Sequence, residues 1–108
     1  MPLEEKQLES LAREVIEAER TCQPITNFTG RFPEISISDA YALQLKLVQT
    51  KVNSGQKIVG RKIGLCAKAN QAMYGIDEPI YGHILDSMVI PEAEPVSMSR
   101  LLRPVIEA

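Results

Sequence analysis

The segment IVGRKIGL, residues 58–65, places one lysine between two glycines in an otherwise apolar run rich in β-branched residues. Such a run is typical of a β-strand, and side chains along a strand alternate between its two faces. Gly60, Lys62 and Gly64 therefore share one face if the segment is extended. Because the glycines carry no side chains, space is left beside the Lys62 ammonium and a ligand can approach the backbone closely. This arrangement suits a small anionic ligand.

A purely structural explanation of the same pattern stays open. Arg61 and Lys62 could be charges on an exposed strand edge, with the glycines marking a β-bulge. The other candidates for chemistry are isolated residues. Glu107 is a single carboxylate, whereas a hard divalent ion needs two or three that converge. His83 is the only histidine, so no zinc site is expected.

The composition is that of an ordinary folded, soluble protein. The chain has 108 residues, of which 44% are hydrophobic and 24% charged. Its 12 basic residues are scattered among 14 acidic ones, so we expect no nucleic-acid partner. No apolar run approaches the roughly 20 residues that span a bilayer, and the N-terminus is acidic where a signal peptide is basic. Two cysteines without CxxC spacing favour reduced thiols, so a cytoplasmic protein without membrane contact is expected.

The first half of the sequence predicts two amphipathic helices. The first runs from Leu3 to Thr21, and residues 22–37 form an ordered connection. The second begins after Ser38 as N-cap and is closed by the glycine of Asn53-Ser54-Gly55. The apolar stripe of the first helix is Leu8, Leu11, Ala12, Val15 and Ile16, and that of the second is Tyr41, Leu45, Val48 and Val52, widened by Ala40, Leu43 and Leu47.

The second half predicts short strands. A strand over 57–65 is expected to pack against both helices, and a short helix over 67–73 follows it. Further strands are predicted at 83–85, 88–90 and 101–106. The fold class is therefore α+β, with N-terminal helices packed on a mixed β-sheet. This sheet looks incomplete.

Four segments resemble one enzyme family in the same order. They are FPEISISDAYALQ (32–44), IVGRKIGL (58–65), PIYGHILDSM (79–88) and RPVIEA (103–108). The sequence is similar to the 2-hydroxypentadienoate hydratase and 4-oxalocrotonate decarboxylase family of aromatic meta-cleavage pathways, which is related to fumarylacetoacetate hydrolase. The resemblance implies that residues 1–108 are the N-terminal portion of a longer chain with a β-rich fold. Residues 1–56 would be mainly helical, and 57–108 would begin the catalytic part.

The resemblance also implies roles for individual residues. Lys62 matches the active-site lysine of the family. Glu107 matches the first glutamate of the P-x-x-E-A-E motif, which supplies two ligands to Mg²⁺ or Mn²⁺, and the chain stops one residue before the second. The substrate, a small 2-oxo acid, would contact Gly60, Gly64, Leu65 and Ile80.

Position 80 favours the decarboxylase branch. Hydratases of the family commonly carry an acidic residue there, whereas this chain has Ile80. We therefore expect decarboxylation of 4-oxalocrotonate to 2-hydroxypenta-2,4-dienoate, with hydration of 2-hydroxypenta-2,4-dienoate to 4-hydroxy-2-oxopentanoate as the alternative. If the natural polypeptide ends at Ala108, a non-catalytic interaction subunit remains the third possibility. The resemblance further implies a homo-oligomer and a complex between the decarboxylase and its sister hydratase.

Overall fold

The structure is a computed structural model, and it describes residues 2–106. The α-helices are α1 (Glu5–Thr21), α2 (Phe28–Arg31), α3 (Ile37–Asn53) and α4 (Lys68–Tyr74), and the strands are β1 (Ile58–Gly64) and β2 (Ile80–Leu85). The predicted α+β class is confirmed. The chain forms two compact units, one of residues up to Thr50 and from Pro91 onward, the other of Lys51–Ile90. Over the described residues, no helix has the length and apolarity needed to cross a membrane.

Helix α1 begins at Glu5 rather than at the predicted Leu3. The Leu3 amide donates instead to Oδ1 of Asp39 on α3, at 3.0 Å, which holds this residue outside the helix. The Glu4 amide donates to the Gln7 side chain at 2.8 Å and so satisfies one of the amides that a helix start leaves unpaired. The helix ends at Thr21, and the C-cap residue Cys22 has a left-handed φ of 52°.

Helix α3 begins at Ile37, two residues earlier than predicted, because Ser36 and not Ser38 is the N-cap. The Asp39 amide donates to the Ser36 hydroxyl, and the Ser36 amide donates to the Asp39 carboxylate, both at 3.0 Å. This reciprocal pair is a capping box, which the spacing S-x-x-D encodes. The predicted glycine stop is confirmed, since Gly55 has a φ of 109° and its amide donates to Val52.

The core of the first unit is formed by the helices themselves. Leu11 and Ala12 of α1 and Leu43 of α3 are buried. Leu3, Leu8, Phe28 and Phe32 pack against them. The predicted stripe of α3 was wrong in one respect, because Leu45 is 54% exposed and Leu43 only 7%. The face that turns inward carries Asp39 and Leu43, four residues apart, because Asp39 is fixed to the segment before α1.

The same face of α3 carries an ion pair to α1. Lys46 lies 3.4 Å from the Glu9 carboxylate and also pairs with Glu5. In α2, the Arg31 guanidinium lies 5.7 and 5.9 Å from the ring centres of Phe28 and Phe32. This short helix was predicted as connection only, and its signal is Asn27, whose side chain accepts from the Thr29 amide.

Asp39 should make the stability of the first unit sensitive to acid. Hydrogen bonds from the Ser36 amide and then the Leu3 amide lower the pKa of this carboxyl. Since the folded-state pKa lies below the unfolded value of about 4, ionised Asp39 stabilises the fold at neutral pH. That stabilisation is lost as the pH falls from the unfolded pKa through the folded one. We expect Asp39→Asn to lower Tm at neutral pH and to flatten the decline of stability below pH 4, measured by circular dichroism.

The matched control for this prediction is Asp77→Asn, at an exposed position of the other unit. It should leave both Tm and the acid transition unchanged. An Asp39→Asn protein as stable as the wild type at pH 7 would contradict the proposed role of the carboxylate.

The second unit contains the antiparallel pair of β1 and β2. Strand β2 begins at Ile80, three residues before the prediction, because Ile80, Tyr81 and Gly82 pair with β1. Asp86 closes the pair: its amide donates to the Lys57 carbonyl at 2.9 Å, and its carboxylate accepts from the Lys57 amide at 3.1 Å.

Two predicted strands do not form. Residue 88 ends a 3₁₀-helix, Asp86–Met88, and residues 89–90 and 101–106 are irregular. A strand needs a hydrogen-bonded neighbour, and within residues 2–106 these segments have none in a sheet. A mixed sheet needs at least three strands, and the described residues supply two. The buried core of the first unit consists of residues of α1 and α3.

Candidate functional site

The register of the two strands places a third glycine opposite the lysine. Lys62 pairs with Gly82, Gly60 with Ile84, and Gly64 with Ile80. Directly opposed residues of an antiparallel pair project to the same face of the sheet. On this face of the sheet, the neighbours of Lys62 along β1 are Gly60 and Gly64, and its partner on β2 is Gly82. We call this face the Lys62 niche, formed by Gly60, Lys62, Gly64, Ile80, Gly82 and Ile84.

The walls of the Lys62 niche are two isoleucines. A Cβ built on Gly64 would lie 3.4 Å from Cγ1 of Ile80, and one built on Gly60 would lie 3.8 Å from Cδ1 of Ile84. Part of the space that these glycines leave is therefore taken by the side chains of β2. A Cβ at Gly82 would meet nothing within 4 Å. The niche thus has an isoleucine side chain at each end, and open space at the Cβ position of Gly82, which is opposite Lys62 in the ladder.

The β-bulge that the glycines could mark, the structural explanation considered for the sequence, is present. The register shifts between Ile58 and Gly60, so Val59 is an extra residue of β1 and forms a β-bulge. Glycine beside a bulge is common because the backbone departs from regular pleating there. The bulge accounts for Gly60 in part, whereas Gly64 and Gly82 lie in the regular ladder.

The predicted site residues fall into three groups. Lys62, Gly60, Gly64 and Ile80 come together on one face of the sheet, with Lys62 exposed and Ile80 46% exposed. Leu65 follows directly after the strand. The predicted metal ligand Glu107 lies outside the described residues.

Leu65 has an unusual backbone conformation. Its φ is 53°, in the left-handed region that residues with a Cβ rarely occupy. Such a conformation costs roughly 1–2 kcal/mol, so the surroundings must hold it. The Leu65 carbonyl accepts a hydrogen bond of 2.8 Å from Nε2 of Gln71 on α4. The strand end is thereby tied to the helix that follows it.

Gln71 is 2% exposed, and only half of its carboxamide is satisfied. Among the described residues, no donor lies within hydrogen-bonding distance of Oε1. Rotating the amide would not help, because it would set its oxygen against the Leu65 carbonyl. One hydrogen bond contributes about 0.5–1.5 kcal/mol to stability, whereas a buried unsatisfied acceptor costs about 1–3 kcal/mol. The unsatisfied Oε1 therefore offsets the stabilisation that the hydrogen bond to Leu65 provides.

The opposite face of the sheet has a different character. Arg61 pairs with His83 and Ile63 with Tyr81, and the rings of Tyr81 and His83 meet edge to face with centroids 6.4 Å apart. Ile63 is 65% exposed. Arg61 and Lys62 therefore lie on opposite faces of the sheet, although they are neighbours in sequence.

Described residues do not assemble a metal site. In the range 2–106, no group of three or more histidine, cysteine, aspartate or glutamate side chains lies close enough to hold an ion. The donor set that Mg²⁺ prefers, several converging carboxylate oxygens, is therefore not supplied by this part of the chain.

Three residues of this region were not predicted from the sequence. Gly82 and Ile84 were not predicted because their place opposite Lys62 and Gly60 depends on strand register. Gln71 was missed because nothing in a polar helical residue indicates that it will be buried. One signal was available for Gly82, since glycine within the apolar strand IYGHIL calls for an explanation.

The chain has homologues over nearly its whole length, which confirms the resemblance inferred from its motifs. It is 36% identical over 103 residues to 2-keto-4-pentenoate hydratase of Paraburkholderia xenovorans strain LB400, covering 95% of this chain and 38% of that protein. It is 37% identical over 106 residues to 4-oxalocrotonate decarboxylase of Pseudomonas putida, covering 98% of this chain and 40% of that protein. No family model matches the sequence.

A solved structure has the same fold over most of the chain. This is 4-oxalocrotonate decarboxylase from Pseudomonas putida G7 complexed with calcium and acetate, with a TM-score of 0.89, 36% identity and coverage of 93% of this chain and 39% of that one. The same enzyme complexed with magnesium and adipate matches with a TM-score of 0.76. The chain thus spans about two fifths of the length of the relatives it matches.

Proposed function

We propose that this chain is the N-terminal portion of a lyase that acts on a small unsaturated 2-oxo acid, with the Lys62 niche as part of its active site. The observation that carries the proposal is the placement of one cation among three glycines on a face walled by Ile80 and Ile84. Homology to hydratases and decarboxylases of such acids supports it independently.

The niche fits an anionic, partly apolar and flat molecule. The Lys62 ammonium can pair with a carboxylate and donate a hydrogen bond to a 2-oxo oxygen. The glycines let the planar conjugated part of the ligand lie close to the backbone, and the isoleucines contact its carbon atoms.

Decarboxylation of 4-oxalocrotonate is the specific reaction we propose. The bond between the distal carboxylate and its methylene carbon breaks, carbon dioxide leaves, and the electron pair moves into the conjugated 2-oxo system. Protonation of the resulting dienolate oxygen gives 2-hydroxypenta-2,4-dienoate. A positive charge fixed beside the 2-oxo oxygen stabilises the charge that develops there. An apolar residue such as Ile80 favours loss of a carboxylate, because it solvates the departing charge poorly.

Hydration of 2-hydroxypenta-2,4-dienoate to 4-hydroxy-2-oxopentanoate is the second candidate. The specific support for it is that relatives at the same level of identity are named hydratases. Hydration requires a group that handles the proton of water, and no carboxylate occupies position 80. For this reason we place decarboxylation first.

A divalent metal and further subunits belong to the proposal as well. The calcium and magnesium complexes of the Pseudomonas putida G7 decarboxylase support a divalent ion, and we propose Mg²⁺ or Mn²⁺ with Glu107 as one ligand. We also propose a homo-oligomer that associates with its sister hydratase.

The deciding experiment offers both compounds separately to the full natural polypeptide in the presence of Mg²⁺. We expect 4-oxalocrotonate to be consumed with release of carbon dioxide. The decrease of its ultraviolet absorbance measures this consumption. Consumption of 2-hydroxypenta-2,4-dienoate alone would establish the hydratase instead. Turnover of neither compound would refute the proposed function.

Ile80→Asp tests the role of the apolar wall. The new carboxylate would lie on the face of Lys62, pair with its ammonium and repel the substrate anion. We expect decarboxylation to fall by about tenfold or more, which corresponds to at least about 1.4 kcal/mol of transition-state stabilisation. Because Ile80 is half exposed, thermal unfolding should change little.

Ile80→Asn is the matched control, since it has nearly the same size as aspartate without the charge. If both variants lose activity equally, the loss comes from polarity and not from charge. An unchanged rate in Ile80→Asp would mean that position 80 does not distinguish the two reactions.

A further inference from the structure

We infer that Gln71 is a positioning residue, which holds the end of β1 at Leu65 so that the Lys62 niche keeps the geometry its ligand needs. The inference rests on the proposed function for its link to turnover. Its structural part, control of the strand end by a helix side chain, can be measured separately.

The first support is the contact itself. Leu65 directly follows the last residue of β1 and adopts a left-handed conformation that must be held from outside. The bond from Gln71 Nε2 to the Leu65 carbonyl, 2.8 Å, is made by a residue whose own backbone is anchored. The Gln71 amide donates to Ala67, and its carbonyl accepts from the Ile76 amide, both at 3.0 Å. The carboxamide is therefore presented from a fixed point.

The second support is that stability does not explain the residue. Gln71 is almost completely buried, and its Oε1 has no donor among residues 2–106. An apolar residue would remove the unsatisfied Oε1, and the hydrogen bond to the Leu65 carbonyl would be lost with it. Strained backbone that is kept at such a cost is found most often at functional sites. The polar group is thus better explained by what it fixes than by what it contributes to folding.

Leu65 is connected to the Lys62 niche through its neighbour Gly64. Gly64 immediately precedes Leu65 and pairs with Ile80, and a Cβ there would already touch the isoleucine at 3.4 Å. Relaxation of Leu65 to an ordinary φ would move the peptide group between Gly64 and Leu65. The distance between Gly64 and the Ile80 side chain would change with it. Displacement of a reacting group by about 1 Å can reduce the rate by about a hundredfold.

The test compares Gln71→Met with Gln71→Glu in the full natural polypeptide. Methionine keeps the length and removes both polar atoms, while ionised glutamate keeps the shape and replaces the donor by an oxygen. We expect kcat to fall by about tenfold to a hundredfold in both, with Tm unchanged or raised in Gln71→Met. The control is Gln7→Met, which removes a glutamine–backbone hydrogen bond of 2.8 Å in α1; its kcat should equal that of the wild type.

Amide hydrogen exchange of residues 58–66 is the second measurement, and it does not depend on activity. In Gln71→Met, exchange at residues 64–66 should become faster while the remainder of the protein is unaffected. If wild-type protein turns over neither compound, the proposed function fails, and the exchange result alone decides the positioning role. Full activity in Gln71→Glu, or unchanged exchange at residues 64–66, would overturn the inference.

Discussion

Replacing Lys62 by alanine should reduce turnover of 4-oxalocrotonate by about a hundredfold to a thousandfold, the range seen when one group that stabilises developing charge is removed. Lys62 is exposed on the face of β1 that it shares with Gly60 and Gly64. Exposed substitutions of this kind change the free energy of unfolding by no more than about 0.5 kcal/mol. Steady-state kinetics together with thermal unfolding should therefore separate a large catalytic loss from a small change in stability.

Arg61→Ala is the matched control for this experiment. Arg61 is the adjacent cation on the same strand, but it faces the other side of the sheet with His83. Its removal should leave kcat within a factor of about two, well under the tenfold change that 1.36 kcal/mol would cause. Equal losses in Lys62→Ala and Arg61→Ala would point to general electrostatics, and full activity in Lys62→Ala would remove Lys62 from the mechanism.

Lys62→Arg asks whether charge alone is sufficient. The guanidinium is larger, planar and directed as a fork, whereas the ammonium is compact. Because Gly82 leaves room in the middle of the niche, arginine should fold normally but occupy the space intended for the ligand. We expect KM to rise more than kcat falls, which distinguishes crowding of the niche from loss of charge.

Removal of divalent metal should abolish the activity of the full natural polypeptide. After treatment with EDTA and desalting, we expect turnover to fall by about a hundredfold or more, because a catalytic metal contributes several kcal/mol. Added Mg²⁺ or Mn²⁺ should restore it. Circular dichroism before and after the treatment separates loss of a catalytic ion from unfolding.

Glu107→Gln links this metal requirement to the chain. It removes the charge of the proposed ligand and keeps its size, so the Mg²⁺ concentration needed for half-maximal activity should rise. Glu94→Gln, at an exposed glutamate among the described residues, is the control and should not alter it. Activity that survives EDTA would refute metal dependence, and an unaltered Mg²⁺ requirement in Glu107→Gln would remove Glu107 from the ligand set.

Much of the local structure could be predicted from local chemistry. The prediction for α1 gave its end at Thr21 and its buried residues Leu11 and Ala12, and Gly55 predicted the end of α3. These features depend on residues within one or two turns of each other, so the sequence contains the necessary information. Leu43 was undervalued because the inward face of α3 is chosen by the contact of Asp39 with Leu3, 36 residues away.

The candidate site was only half predictable for the same reason. Alternation along one strand is a local property, and it grouped Gly60, Lys62 and Gly64 correctly. The partner residues depend on register, which the bulge at Val59 and the closure at Asp86 fix together. No pattern within residues 58–65 encodes that Gly82 will face the lysine or that Ile80 will lie over Gly64.

The sequence by itself determined the α+β class, the kinship with hydratases and decarboxylases, and the lysine around which the site is proposed. Tertiary structure alone decided what surrounds that lysine: a glycine across the ladder, an isoleucine at each end, and a buried glutamine that holds the strained residue after β1. The physical reason is that residue type and helical or strand period act over a few positions. Pairing register and burial arise from contacts between segments that are distant in the chain.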